Sequence, residues 1–105
     1  MDKNTLNIMY AASLEFGPNW RKSLKELANE QLPELAEPEL SEICVYISQV
    51  RADIEAIMLE NYAGIIDGAI ESGKVVNKIK TRYDWIDEKN ISHGYSQGMY
   101  YAWRG

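Results

Sequence analysis

Few residues of this chain belong to the types that bind metals or act as nucleophiles. It has one histidine, His93, and one cysteine, Cys44. Zinc sites combine several His, Cys or acidic ligands at set spacings, and di-iron bundles use Glu-x-x-His pairs. Asn90, rather than a glutamate, stands three residues before His93. The sequence therefore predicts no metal and no cofactor.

Other catalytic arrangements are also not expected. His93, Ser96 and Cys44 are residue types that take part in acyl transfer, but their spacing selects no catalytic set, and we expect no nucleophile elbow. The spacing Gly94-x-x-x-Gly98 is not that of a phosphate loop, because no strand is predicted before it and no Gly-Lys-Ser/Thr follows.

Acidic residues at four-residue spacing could in principle serve as an acid and a base. Glu26, Glu30 and Glu34 would share one face of a helix. A solvated acidic surface explains the same spacing, and the sequence offers no partner for general acid–base chemistry. We therefore predict that the chain is not an enzyme.

Length and composition favour one domain, residues 1–105. The chain has 105 residues, of which 46% are apolar and 26% are charged. A chain of this length is too short for two independent cores. It shows neither a basic start with a long apolar run nor a second cysteine, which favours a soluble protein of the cytoplasm. Cys44 lies in an apolar run and is predicted to be a buried free thiol.

Apolar residues recur at helical spacing along most of the chain, and no segment has the alternating pattern that predicts a strand. The first helix is predicted from Leu6 to Leu14, followed by a second that begins near Gly17 and Pro18, carries Trp20, and stops near Pro33. A later helix is predicted from Lys74 to about Asn90, and Ser92 is the predicted N-cap of a last helix that runs to about Trp103.

The most regular pattern lies in the middle of the chain. Apolar residues from Leu40 to Tyr62 follow steps of three and four, which predicts a long central helix of about residues 38–62 with Gly64 just past its end. The glycine-rich segment that follows predicts a short or broken helix. The predicted fold class is all-α, a compact bundle of five or six helices around this central one.

The net charge of −5 is concentrated in one third of the chain. Residues 26–60 carry nine acidic residues and one basic residue, Arg51, for a net charge of −8. Glu55 follows Arg51 by one helical turn and is predicted to pair with it. An acidic zone repels nucleic acid and attracts basic partners, although it also fits a surface that only keeps the protein soluble.

Helical projection predicts two partner-binding faces. The side of the central helix opposite its apolar residues is acidic and smooth, because Ala52 and Ala56 lie among the charges. On the last helix, Gly94 and Gly98 are predicted to mark the close approach of another helix, and the opposite side is a polar, aromatic strip of the kind found at interfaces. The candidate residues are Glu42, Gln49, Asp53 and Glu60 on the central helix, and His93, Gln97, Tyr100 and Arg104 on the last.

One basic ridge offers an alternative function. Lys74, Lys78 and Arg82 follow at steps of four and would line one side of a helix, where they could contact phosphates. A helical regulatory module that binds nucleic acid through this ridge is one hypothesis, and a homo-oligomeric structural bundle is another. The acidic total charge weighs against the first of them.

The combination of small size, predicted helices and acidity favours a different function. In these three properties the chain resembles the acidic helical immunity proteins of bacterial nuclease toxins. The resemblance implies a protein that binds and neutralises a basic protein partner such as a nuclease toxin. The resemblance concerns size, helix content and acidity and includes no motif that matches residue by residue. The candidate residues above therefore come from helical projection.

Overall fold

The computed structural model describes residues 2–14 and 23–104, and in these ranges all regular structure is helical. The helices are α1 (Lys3–Leu14), α2 (Leu24–Gln31), α3 (Glu37–Asp67), α4 (Ser72–Arg82) and α5 (Glu88–Arg104). The all-α prediction and the long central helix are confirmed. The predicted boundary at Gly17 and Pro18 and the predicted face of Trp20 lie outside the described residues.

The central helix α3 is longer than its sequence pattern predicts. It begins near Pro38, as expected, but it ends at Asp67, with Gly68 in the left-handed conformation at φ 84° as its C-cap. The predicted end at Gly64 is wrong because this glycine serves a different purpose. The side chain of Ile70 packs where a Cβ of Gly64 would lie, and the Ile70 amide donates to the Gly64 carbonyl over 2.9 Å.

The helix predicted from Lys74 to about Asn90 is interrupted. Helix α4 ends at Arg82 with Tyr83 as its C-cap, and the Ile86 amide donates to the Tyr83 carbonyl over 3.2 Å in the turn that follows. Ile86 is nevertheless buried in the core. The apolar spacing thus continues through a turn, which is why the sequence pattern does not reveal the break.

The last helix begins earlier than predicted. Asn90 does not end an element and Ser92 is not an N-cap, since α5 starts at Glu88. The Asp87 carboxylate accepts a hydrogen bond from the Asn90 backbone amide over 2.9 Å, as an N-cap side chain does. Asn90 itself is buried against α1, where its side chain donates to Asn7, so a polar residue that resembles a helix stop belongs to the helix–helix contact.

The core lies between α3 and the shorter helices around it. Met9, Tyr10, Ile47, Met58 and Ile79 are almost fully buried and come from α1, α3 and α4. Burying one such side chain stabilises the fold by about 1.5–3 kcal/mol. The core residues of α3 all lie on one side of the helix, which leaves its opposite side facing solvent.

The two predicted contact glycines of α5 do mark close approaches. A Cβ at Gly94 would overlap the Tyr10 hydroxyl of α1, and a Cβ at Gly98 would overlap the Met58 side chain of α3. Both glycines are buried. They allow α5 to lie against two helices at once, which fixes the orientation of α5 beside α3.

Candidate protein-binding surface

The predicted residues of the central helix lie on its solvent side, with one exception. Glu42, Gln49 and Glu60 are exposed. Asp53 is half-buried, because its carboxylate accepts hydrogen bonds from Arg82 Nη1 at 2.8 and 2.9 Å and from the Tyr83 hydroxyl at 2.7 Å. Asp53 therefore connects α3 to the end of α4 and is less available to a partner than predicted.

The hydrogen bond from Arg82, followed by the one from Tyr83, lowers the pKa of Asp53 below its ordinary value. In the opposite direction, burial and then the bond to Asp53 raise the pKa of Tyr83 to about 12. The predicted ion pair of this region is confirmed, since Arg51 contacts Glu55 over 3.2 Å. Both arginines beside the acidic side of α3 are thus already paired.

The solvent side of α3 also carries large apolar side chains, of which helical projection predicts only Val45. Val45, Leu59 and Ile66 are 59%, 62% and 63% exposed, and they lie in one row opposite the core. With the exposed residues between them they form what we call the outer stripe, whose members are Val45, Gln49, Ala52, Ala56, Leu59, Ala63 and Ile66. Ala63 and Ile66 lie beyond the predicted end of the central helix, and Ile66 falls in the segment predicted to form a short or broken helix, which α3 instead includes as far as Asp67.

Grooves lie along both halves of the outer stripe. Near its start, a groove of about 420 Å³ is lined by Pro38, Ser41, Glu42, Val45, Tyr46 and Gln49. Further along, Tyr101 and Ala102 of α5 line a groove of about 260 Å³ together with Glu55, Ala56 and Leu59. The stripe is therefore bordered by two shallow recesses.

The predicted strip on the last helix is divided by the structure. Tyr100 and Arg104 are exposed and linked, since the Arg104 guanidinium donates to the Tyr100 hydroxyl over 3.2 Å and lies 5.8 Å from its ring centre. His93 is half-buried. Gln97 is 6% exposed and donates from Nε2 to the Leu14 carbonyl, so the expectation that it faces solvent is wrong.

Gln97 is buried because α5 contacts α1 as well as α3. The buried arc of α5 is centred on Gly94, and it includes both Asn90 and Gln97. Projection from apolar residues alone places the centre of this arc too far to one side. The exposed aromatic residues are instead clustered at the end of α5, where Trp103 is 70% exposed and its ring centre lies 6.3 Å from that of Tyr100.

Residues 94–98 spell Gly-x-Ser-x-Gly, the pattern of a nucleophile elbow, which sequence reasoning overlooked. An elbow places its serine on a sharp turn between a strand and a helix. Ser96 instead lies inside α5, and its two flanking glycines serve helix packing. In the described part of the chain it forms no hydrogen bond with His93. In the described residues, Ser96 thus has neither the sharp turn nor the hydrogen-bonded histidine that a catalytic serine of this pattern needs.

The thiol of Cys44 is free and half-buried, less enclosed than predicted. Burial is the main cause that raises its pKa above the ordinary value. A reactive cysteine needs the opposite shift, because the thiolate is the nucleophile. Among residues 2–14 and 23–104, no three His, Cys, Asp or Glu side chains lie together as metal ligands would.

The residues of the basic ridge differ in their contacts. Lys74 and Lys78 are exposed, whereas Arg82 is bound to Asp53. Lys80, on the same helix, pairs with Glu88 of α5. Two of the cations of α4 are therefore engaged within the protein.

Comparisons of the chain with family models, with curated proteins and with solved structures find no match. Within the described ranges, no helix has both the length and the apolar character needed to cross a membrane.

Proposed function

We propose that this protein binds and neutralises a basic protein partner through the solvent side of α3, in the manner of an immunity protein or antitoxin. The observation that carries the proposal is the outer stripe, where Val45, Leu59 and Ile66 are exposed in one row on the most acidic helix of the chain. Contiguous exposed apolar surface with a polar border is typical of protein–protein interaction sites.

The charge around the stripe supports a basic partner. Glu42 and Glu60 are exposed, and neither forms an ion pair or side-chain hydrogen bond within residues 2–14 and 23–104. Arg51 and Arg82 are paired with Glu55 and Asp53, so these cations are already engaged. A negative surface accelerates encounter with a positive one and disfavours acidic partners.

In this proposal, the chain neutralises its partner by covering the surface through which the partner acts. A nuclease binds its substrate through a basic surface, because it must contact phosphates. An acidic protein that covers such a surface excludes nucleic acid without any chemical step. No catalytic residue of this chain is needed for that mechanism.

The test is co-purification from the native host with a tagged wild-type chain and a Glu42→Lys, Glu60→Lys double variant. We expect the wild type to retain a basic protein whose activity falls when the chain is added. The double variant should associate with it about tenfold more slowly, because long-range attraction sets the association rate. Both positions are exposed and unpaired in the described structure, so the fold should persist.

The matched control is the Glu71→Lys, Asp84→Lys double variant, which makes the same two charge reversals at exposed positions on either side of α4. It should leave association close to the wild-type rate. A partner that binds the Glu42→Lys, Glu60→Lys variant as fast as the wild type would place the interface elsewhere. Failure to retain any basic protein would contradict the proposed function itself.

A further inference from the structure

The outer stripe has the spacing of a coiled-coil seam. Its seven residues, from Val45 to Ile66, follow each other at steps of four and three residues throughout. Alternating steps of this kind keep one row of side chains on the same side of a supercoiled helix pair. The stripe repeats the core pattern two residues further along the chain, so it lies on the opposite side of α3, and its exposed Val45, Leu59 and Ile66 distinguish it from an ordinary solvent face.

Side-chain size along the stripe favours a helix as the occupant. Alanines at 52, 56 and 63 lie between the larger Val45, Leu59 and Ile66, and all of them are exposed. Small residues let two helix backbones approach closely, while the larger ones insert between side chains of the facing helix. The stripe extends over about 32 Å of helix, the length of three heptads.

The flanking charges decide which helix fits. Asp53 and Glu55 beside the stripe are paired within the protein, whereas Glu60 beside it and Glu42 at its start form no salt bridge in the described residues. A second copy of this chain would bring the same acidic positions opposite them, and like charges at flanking positions oppose pairing. A helix with lysines or arginines at its flanks would instead meet opposite charge at Glu42 and Glu60.

We infer that the partner docks an amphipathic α-helix, with apolar residues at heptad spacing and basic residues beside them, along the outer stripe of α3. This inference rests on the proposed function and specifies how the basic partner is held. Docking a helix into an apolar groove is a common mode of peptide recognition. Tyr101, which lines the groove beside Ala56 and Leu59, borders the bound helix on the α5 side.

The probe is a synthetic helical peptide of about four heptads with leucine and alanine at the seam and lysine at the flanks. It is titrated into the isotope-labelled protein, and amide shifts and calorimetric Kd are measured. We expect the shifted amides to follow the outer stripe and the adjacent end of α5. A peptide with glutamate in place of each lysine should not bind.

Two variants separate the stripe from the rest of the surface. Ala56→Trp fills the centre of the stripe and should weaken peptide binding about tenfold or more, since it prevents close approach. Asn29→Trp introduces the same side chain at an exposed position of α2 and should leave the Kd unchanged. Thermal unfolding of both variants, expected near the wild-type Tm, shows that the fold is retained.

Equal affinity of the lysine peptide for Ala56→Trp and the wild type would overturn the inference. The inference would also be overturned if light scattering showed that the wild type is a dimer and that Ala56→Trp is a monomer. A second copy of the chain would then occupy the stripe. If a basic partner from the host binds Ala56→Trp as well as the wild type, the helix mode is wrong while the proposed function stands. If neither the wild type nor any variant retains a basic partner, the proposed function itself is wrong.

Discussion

Asp53 joins two features that the sequence places on different helices, the acidic face of α3 and the basic ridge of α4. Its carboxylate accepts from Arg82 and Tyr83, and these bonds lower its pKa. Because the folded-state pKa lies below the unfolded value, the carboxylate contributes stability at pH values above the unfolded pKa. That contribution is lost as the pH falls through the folded-state pKa.

We therefore expect Asp53→Asn to lower the Tm at pH 7 by about 3 °C, a modest loss because the group is partly screened by solvent. The difference from the wild type should begin to shrink as the pH falls below about 4, the ordinary aspartate pKa, and should vanish as the pH passes the lowered pKa of the folded carboxylate. Thermal unfolding monitored by circular dichroism across pH checks this. The control Asp84→Asn changes an exposed aspartate and should show no such pH-dependent difference.

Gly98 illustrates a contact that tolerates no side chain. A Cβ there would overlap Met58, including its Cβ at 2.8 Å, which cannot move aside without a shift of α3. Gly98→Ala should therefore lower the free energy of unfolding by about 1–3 kcal/mol. Gly73→Ala is the matched control in α4, where a Cβ meets no atom, and it should stabilise by up to about 1 kcal/mol. Urea unfolding measures both, and a loss of equal size at Gly73 would contradict this explanation.

At the scale of elements, Asn7 of α1 holds the turn from which α5 starts. Its side-chain amide donates to the Trp85 carbonyl over 2.8 Å, and its oxygen accepts from the Asp87 amide and from Asn90, both over 3.0 Å. Asn7→Ala should cost about 2 kcal/mol, because several partly buried polar groups lose their partner. Asn4→Ala, at an exposed position of the same helix, should be near neutral in the same chemical-denaturation assay.

The helices themselves could be predicted from the sequence because each buries one face at regular spacing. Their ends could not, since Gly64 and Asn90 have the residue types of helix stops but are used for contacts with Ile70 and Asn7. Projection predicts the exposure of Glu42 and Glu60, but it does not predict that of Leu59, because an exposed leucine has no signature until the core is known. Gln97 was misplaced for the same reason, since only tertiary structure shows that α1 packs beside it.

For the whole molecule, the distribution of charge predicts weak interaction with nucleic acid. The net charge is −5, and Arg82 and Lys80 of α4 are paired with Asp53 and Glu88. Fluorescence anisotropy with labelled duplex DNA and with RNA at low salt should therefore detect no binding, and Lys78→Glu should change nothing. Salt-dependent binding that Lys78→Glu abolishes would instead establish the basic ridge as a nucleic-acid site.

The length of α3 bears on the specificity with which the proposed partner is recognised. A helix of 31 residues is about 46 Å long, which matches the longest dimension of the molecule, 46 Å. Since its other side is anchored in the core, its exposed residues keep their positions before any encounter, and little conformational entropy is lost on binding. Gln49 is the one polar member of the row, and a single polar seam position fixes register. On the proposed docking mode, a partner helix displaced by one heptad, about 10 Å, would bury Gln49 against the wrong residue, so we expect helices of similar charge to be distinguished by register.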